Sequence, residues 1–250
     1  MIDSYKSLCT EFYDLDKPSA PEDALKYYLN EICNSSGPAL EPMCGTGRFL
    51  IPVLENGVDI DGTDASSEML KNCRMKCDKK GLNPNLYYQK LQELDLPGRY
   101  GLIFIPSGSF GLITDDYDIR ESLNKIYSHL MPDGKLLMEI SAPVQSYAGE
   151  IIDSREVTKS DSSKIFLTTV SSFVKNSNIE IIECEYKHVK DDCLISSEKE
   201  IINVKQYTIN EITALLKFAG FSGIEALKPY SEEKANDQEN MFLIKCIKIK

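Results

Sequence analysis

Four residues in the first third of the sequence, Glu41, Gly45, Gly47 and Asp64, have types and spacings that suit ligand binding. Glycine permits a backbone turn with positive φ and lets a ligand approach closely. A helix that begins after such a turn offers unpaired amides and positive potential. Asp64 ends the next strand-like run, where a carboxylate can accept hydrogen bonds from ribose hydroxyls. The pattern therefore indicates a ligand that contains a nucleoside.

The residues around the two glycines distinguish between nucleoside ligands. Arg48, Phe49 and Leu50 follow, so the third glycine of the dinucleotide pattern is absent. That glycine allows a helix to pack closely under a pyrophosphate, and Leu50 fits this role poorly. Glu41 would repel a pyrophosphate but suits an ammonium group. The loop thus predicts a cofactor with one nucleoside and a cationic tail. An alternative interpretation makes Glu41 a solvated strand-end charge and Asp64 a capping acid.

The elements that must position these residues follow from the hydrophobic pattern. Short apolar runs alternate with amphipathic segments up to about residue 140, which predicts a doubly wound α/β sheet. Pro52 is tolerated only in a first turn, so the helix after the glycines should begin near Arg48 or else kink. The strand candidates are "ALEPM", "VDIDGTD", "NLYYQKL", "YGLIFIP" and "KLLMEIS".

Helix starts are marked by capping residues. Ser19 with Glu22, and Thr208 with Glu211, have the spacing of capping boxes, and Ser66 is a predicted N-cap. Between the two halves, "SKIFLTTVSSFV", "IEIIECEYKHV" and "LISSEKEIINV" are strand-like runs separated by turns. We therefore expect an α/β domain formed by residues 1–152 and 205–250, with an antiparallel β meander inserted over residues 153–204.

Composition narrows the class of function. The formal net charge is −11, and no cluster of Lys and Arg suits a phosphate backbone, so nucleic acid is a disfavoured partner. No apolar run approaches the ~18 residues of a membrane span, and the first residues lack a signal-peptide pattern, so we expect a cytoplasmic protein. The eight cysteines include no C-x-x-C pair, and we expect packed, reduced thiols rather than metal ligands.

Several segments in the expected order resemble class I S-adenosylmethionine-dependent methyltransferases of the small-molecule type. "ALEPMCGTGRFL" is similar to their first motif and "DGTDASSEML" to their second. "YGLIFIPSGSF" resembles the end of their fourth strand, and "LMPDGKLLMEI" the turn into the fifth. "YTINEITALLKFAGF" is similar to a segment near the end of many members. The resemblance implies their Rossmann-like fold, with a seven-stranded, mostly parallel sheet.

The resemblance also implies site roles. Glu41 would bind the methionine amino group, Asp64 the ribose, and Ser107 would face the sulfonium. The remaining implied cofactor contacts are Met43, Gly45, Gly47, Ala65, Met69, Leu91 and Gln92. The implied substrate-pocket residues are Tyr13, Ser109, Phe110 and Tyr207.

Three positions depart from the family pattern. Met43 replaces a first glycine, Lys90 stands where many members have an Asp for the adenine amino group, and Gly101 replaces a common Asp. Neither histidine, His129 nor His188, falls in a motif, and no acid is placed as an obvious general base.

The expected activity is methyl transfer from S-adenosylmethionine to a nitrogen or oxygen of a small molecule, with S-adenosylhomocysteine as product. Because an amine needs no strong base, the lack of an obvious base leans towards nitrogen or an acidic hydroxyl. The alternatives are a methyltransferase acting on nucleic acid or protein, a catalytically silent cofactor-binding protein, and an NAD-dependent oxidoreductase. The missing third glycine weakens the last.

Overall fold

The computed structural model describes residues 4–143, 149–236 and 238–249. Two sheets and six helices make up these segments. The helices are α1 (Ser7–Asp16), α2 (Glu22–Cys33), α3 (Leu50–Glu55), α4 (Ser67–Lys79), α5 (Asp116–His129) and α6 (Ile209–Phe218). The strands are β1 (Ala39–Pro42), β2 (Ile60–Asp64), β3 (Leu86–Tyr88), β4 (Tyr100–Ile105), β5 (Leu130–Ser141), β6 (Ile151–Thr158), β7 (Lys164–Val174), β8 (Ile179–Lys190), β9 (Cys193–Lys205), β10 (Ser222–Leu227) and β11 (Met241–Ile247).

The larger sheet has seven strands in the order β10-β11-β5-β4-β1-β2-β3. The pairs from β5 to β3 are parallel, whereas β11 is antiparallel to both of its neighbours. The central strand β4 is buried along its whole length, as a parallel strand covered on both faces should be. The predicted doubly wound, seven-stranded, mostly parallel sheet is therefore confirmed.

Helices cover both faces of this sheet, and strand residues alternate between the two cores. Ile103 and Ile105 of β4 pack with α5 and α6, whereas Leu102 and Phe104 pack with α2, α3 and α4. The helix after the glycines begins at Leu50, which places Pro52 in its first turn. That position is where proline is tolerated.

The capping predictions had different outcomes. Thr208 and Glu211 form a complete capping box, and the Ser66 hydroxyl accepts a hydrogen bond from the amide of Met69. The Ser19 prediction is wrong, because α2 begins after Pro21 and has no side-chain cap. Proline at that position has a fixed φ near the helical value, so the chain can enter the helix without a polar cap.

The smaller sheet is an antiparallel meander in the order β6-β7-β8-β9. It contains one strand more than the three predicted runs, because β6 pairs with β7 from Ile151 to Thr158. The sequence of β6 is mostly polar and exposed, so it lacks the apolar signal of a strand. Helix α1, which was not predicted, packs on this sheet through Leu8, Cys9 and Phe12.

Every helix in the described segments is too short or too polar to cross a membrane.

Candidate functional site

A cavity of about 740 Å³ lies where the carboxyl ends of the parallel strands face α1 and the smaller sheet. Ten of the fourteen site residues predicted from the sequence line this cavity: Tyr13, Met43, Gly45, Asp64, Ala65, Met69, Leu91, Gln92, Ser107 and Ser109. Ligands of open α/β sheets bind in this position because the strand-end loops converge there. The structure therefore brings most of the predicted residues to one site.

The loop between β1 and α3 uses left-handed backbone three times within five residues. Met43 has φ of 58°, Gly45 of 56° and Gly47 of 82°. A Cβ at Gly47 would lie 2.7 Å from the Cys73 sulfur and 2.9 Å from Cγ1 of Ile51. Gly47 therefore lets the loop pack directly against α3 and α4. It does not line the cavity. Met43 carries a Cβ, so this left-handed backbone conformation is unfavourable for it.

Leu50, the residue at the position of the missing third glycine, is fully buried. The small residue that makes room for it lies on the neighbouring strand, because a Cβ at Gly62 would approach Cδ1 of Leu50 to 2.5 Å. The close approach of helix and sheet is thus achieved by a glycine on β2 rather than one on α3.

Asp64 ties the glycine loop to the end of β2. One carboxylate oxygen accepts a hydrogen bond from the amide of Gly45 over 2.8 Å, and the other accepts one from the amide of Ser66 over 2.7 Å. Burial raises the pKa of Asp64, and these amides oppose that rise. A carboxylate has about four acceptor sites, so two bonds leave capacity for ligand hydroxyls. The helix cap itself is Ser66 rather than Asp64.

Glu41 is buried, with 2% of its surface exposed, and it does not itself line the cavity. Its Oε2 atom has no hydrogen-bond partner within the described part of the chain. Burial raises the pKa of Glu41 well above its usual value, while the amide of Leu50 lowers it. The alternative of a solvated strand-end charge is therefore wrong. A buried carboxyl oxygen without a donor is costly unless a ligand supplies one.

Two predicted substrate-pocket residues lie elsewhere. Phe110 and Tyr207 are almost fully buried, with ring centroids 6.0 Å apart, and neither lines the cavity. Phe110 turns into the core with α5 and α6, because it belongs to a short 3-10 turn whose other face meets the cavity. Its neighbour Ser109 does line the cavity.

Ser107 lies two residues after the end of β4 and has a left-handed conformation, with φ of 60°. Its amide donates to Oε2 of Glu139 over 2.8 Å, and the Tyr28 hydroxyl donates to Oε1 over 2.6 Å. Burial raises the pKa of Glu139, and both hydrogen bonds oppose that rise. Glu139 was not identified from the sequence. Its signal is a single acid within the apolar run "KLLMEIS".

The end of the cavity near Leu91 carries polar groups that could form hydrogen bonds with a nucleobase. Gln92 donates from its side-chain amide to Asp118 over 3.0 Å, and both residues line the cavity. This bond fixes the Gln92 amide so that its carbonyl oxygen is available as an acceptor. Asp118 was missed, because it is one of several acids at the start of α5. Lys90 also lines the cavity, and its ammonium lies 3.6 Å from Glu93.

Helix α1 closes the cavity opposite the strand ends. Tyr5, Cys9, Phe12 and Tyr13 of this segment all line it. The spacing of Leu8, Cys9 and Phe12 was the only sequence signal for the helix.

Neither histidine reaches the cavity. His129 accepts from the Leu96 amide over 3.0 Å at the back of the sheet, and His188 Nε2 lies 2.8 Å from the Ser163 hydroxyl. The cavity carboxylates of Asp16, Asp64 and Asp118 all have partners. Within the described ranges, no group of three or more His, Cys, Asp or Glu could hold a metal ion. Among the described residues the cavity can therefore position reactants, but it offers no imidazole and no unpaired carboxylate as a general base.

Comparisons with known proteins bear on this site. A family described as a methyltransferase domain matches residues 39–134. A protein of Geobacillus sp. (strain WCH70), named as a provisional methyltransferase, is 21% identical over 239 residues, which cover 93% of this chain and 96% of that protein.

Two solved structures share the fold. An S-adenosylmethionine-dependent methyltransferase from Clostridium acetobutylicum superposes with a TM-score of 0.80 at 17% identity, covering 96% of this chain and 97% of the other. The sugar N-methyltransferase KedS8 from Streptoalloteichus sp. has a TM-score of 0.79 at 15% identity, covering 100% and 96%.

Proposed function

We propose that the chain is an enzyme that transfers a methyl group from S-adenosylmethionine to a nitrogen atom of a small molecule, because residues 39–134 match a methyltransferase domain and the fold is shared with an S-adenosylmethionine-dependent methyltransferase. Methyl transfer from a sulfonium is a displacement in which the cofactor supplies an activated leaving group. The protein has to hold the acceptor atom near the methyl carbon, and proximity can contribute much of the rate.

The observation that carries the cofactor assignment is the unpartnered Oε2 of the buried Glu41. The methionine part of S-adenosylmethionine carries an ammonium that can donate to this atom, directly or through water. Asp64 keeps acceptor capacity for the ribose hydroxyls, and Gly45 leaves the loop open to the ligand. NAD would place a pyrophosphate at this loop, where an ionised Glu41 would repel it.

The choice of nitrogen rests on the groups that line the cavity. A neutral amine attacks without prior deprotonation, whereas a hydroxyl benefits from a general base. No histidine and no unpaired carboxylate lines the described part of the cavity. The sugar N-methyltransferase KedS8, which shares the fold, methylates nitrogen by its name.

The inserted segment of residues 153–204 is proposed to form the acceptor wall. Leu167 and Thr169 of β7, Ile182 of β8 and Ile202 of β9 line the cavity opposite the strand ends. The predicted cofactor contacts lie outside the smaller sheet. These side chains of the smaller sheet are therefore left to contact the acceptor. Small-molecule acceptors fit a cavity of this size, which lies in the range of ligand pockets.

Thermal unfolding with S-adenosylmethionine, S-adenosylhomocysteine and NAD tests the cofactor assignment. A ligand at a hundred times its dissociation constant adds about 2.7 kcal/mol to the free energy of unfolding. We expect a shift with the two adenosyl compounds and none with NAD. A shift with NAD alone would overturn the proposed function. A shift with S-adenosylmethionine but no turnover of any acceptor would favour a silent binding protein.

A further inference from the structure

Helix α1 lies across the inner face of the smaller sheet, between its two edges. In the strand register, Arg155 of β6 is next to Leu167, which is next to Tyr186, which is next to Glu198 of β9. Neighbours in register share one face of a sheet. This row therefore runs from a cation at the β6 edge to an acid at the β9 edge.

The acids at the β9 edge are used by the start of α1. Glu198 accepts from the amide of Leu8 over 2.7 Å, and Glu200 accepts from the amide of Lys6 over 2.6 Å. These carboxylates cap the helix, where negative charge is favourable. The acids of this edge are thus occupied by backbone amides of the same chain.

The β6 edge is different, because one of its two cations that line the cavity has no carboxylate within salt-bridge distance among the described residues. Arg155 lies 2.9 Å from Asp16, 3.6 Å from the exposed Asp153, and 5.7 Å from the centroid of the Phe12 ring. Lys17, the residue after α1, has its ammonium 5.4 Å from the centroid of the Tyr13 ring. Both Lys17 and Arg155 line the cavity.

Lys17 has no salt bridge with any carboxylate of the described residues, since none lies within 4.0 Å of its ammonium. Partial desolvation lowers the pKa of Lys17, and the guanidiniums of Arg48 and Arg155 lower it further, whereas Asp16 opposes them. Asp14, another acid at this end of α1, is bound to Lys76 over 2.8 Å. The carbonyl end of α1 offsets part of the positive charge, but the half-buried Asp16 is already paired with Arg155 and leaves Lys17 without a carboxylate of its own.

We infer that Lys17 and Arg155 form a binding site for an anionic group, a carboxylate or a phosphate, on the methyl acceptor. This inference rests on the proposed function, which assigns this part of the cavity to the acceptor. A guanidinium and an ammonium that converge on one cavity bind such anions through charge-assisted hydrogen bonds. An acceptor would then present its amine to the sulfonium end and its anionic group to Lys17 and Arg155.

Titration of inorganic phosphate into the protein saturated with S-adenosylhomocysteine tests the site without turnover. Sodium chloride at matched ionic strength controls for screening. We expect phosphate binding in the native chain that is about tenfold weaker in Lys17→Met and in Arg155→Met, since one charge-assisted hydrogen bond is worth about a factor of ten. Lys71→Met is the control, because Lys71 is 67% exposed on α4, outside the cavity.

Asp16→Asn separates binding from structural damage. This variant removes the acid that competes for Arg155, so phosphate should bind more tightly than in the native chain. Damage to the fold would weaken binding instead. Matched acceptors add a second readout: 4-(aminomethyl)benzoate should be methylated with a higher kcat/KM than benzylamine, and Lys17→Met should abolish that preference.

Three results would overturn the anion site. The first is that phosphate binds the native chain no better than chloride. The second is that Lys17→Met and Arg155→Met bind phosphate as tightly as the native chain. The third is that these variants weaken only the binding of S-adenosylhomocysteine, which would assign the cations to the cofactor carboxylate. A protein that fails to bind S-adenosylhomocysteine at all would refute the proposed function rather than the anion site.

Discussion

The carboxylate of Asp64 accepts a hydrogen bond from the backbone amide of Gly45 over 2.8 Å, which joins the end of β2 to the glycine loop after β1. The same carboxylate accepts from Ser66 at the start of α4. One side chain therefore fixes the loop, holds the amide of the N-cap residue Ser66 and faces the cavity. The proposed binding of ribose hydroxyls and the shape of the loop therefore depend on the same carboxylate.

Asp64→Asn should weaken S-adenosylhomocysteine at least about tenfold and lower the free energy of unfolding by about 1–2 kcal/mol. The amide can accept from only one of the two backbone amides, so its NH₂ group faces a donor. Calorimetric titration measures the first effect and urea unfolding the second. Asp61→Asn is the matched control on β2, because Asp61 accepts from Tyr100 over 2.8 Å outside the cavity. Native affinity in Asp64→Asn would contradict the assignment.

Gly47→Ala should be far more destabilising than Gly81→Ala. Both glycines have positive φ, but a Cβ at Gly47 meets Cys73 at 2.7 Å whereas one at Gly81 meets nothing within 4 Å. Backbone strain costs about 1–2 kcal/mol in each, and overpacking adds about 1–3 kcal/mol in Gly47→Ala alone. Urea unfolding measures both.

Cys73→Ala in the Gly47→Ala background provides the mechanistic check. Removing the sulfur should recover part of the loss, which a double-mutant cycle detects as a coupling free energy. Equal losses in Gly47→Ala and Gly81→Ala, or strict additivity with Cys73→Ala, would show that close packing is not the reason for Gly47.

Met43 offers a test of strain against packing. The side chain is half-buried against the core, but its φ of 58° is unfavourable for any residue except glycine. Met43→Ala loses the packing and keeps the strain, whereas Met43→Gly loses the packing and relieves the strain. Met43→Gly should therefore be more stable than Met43→Ala by about 1 kcal/mol. The reverse order in thermal unfolding would show that the left-handed conformation carries no cost.

Glu41→Gln should stabilise the ligand-free protein at neutral pH while weakening the cofactor. Burial raises the pKa of Glu41 in the folded state. At low pH both states hold the proton, and as pH rises past about 4.3 the unfolded state ionises first, so Glu41 lowers stability progressively. The stabilisation by Glu41→Gln, about 1–3 kcal/mol at pH 7, should thus fade as the pH is lowered below the unfolded pKa.

Proton release on ligand binding gives a second readout for Glu41. An ammonium bound at its Oε2 favours the ionised carboxyl, so binding of S-adenosylhomocysteine should release protons in the native chain and fewer in Glu41→Gln. Calorimetry in buffers with different ionisation enthalpies measures this release. A pH-independent difference in stability, with equal proton release, would contradict an ammonium partner for Glu41.

The features that were predicted correctly have local causes. Thr208 with Glu211, Ser66, and Pro52 act through neighbouring backbone groups, so their spacing in sequence is enough to place helix starts. The strand pattern is similarly direct, since β4 is apolar throughout because both its faces are covered.

The features that were missed depend on contacts that are distant in sequence. Helix α1 is capped by Glu198 and Glu200, far along the chain. Leu50 fits because Gly62 lies on the next strand, and Ser107 is held by Glu139 on β5, the strand beside β4. No local pattern encodes such pairs. Phe110 and its neighbour Ser109 lie in one short turn, and only the tertiary packing decides which of them faces the cavity.

Transfer of a labelled methyl group from S-adenosylmethionine to a panel of primary and secondary amines, with the matched alcohols beside them, tests the central claim most directly. We expect labelled amine products with an equimolar amount of S-adenosylhomocysteine, and no labelled alcohol. In the proposed reaction an amine needs no base, whereas no histidine and no unpaired carboxylate of the described residues lines the cavity to deprotonate a hydroxyl. Labelled alcohols without labelled amines, or S-adenosylmethionine binding with no labelled product from any amine, would contradict the account.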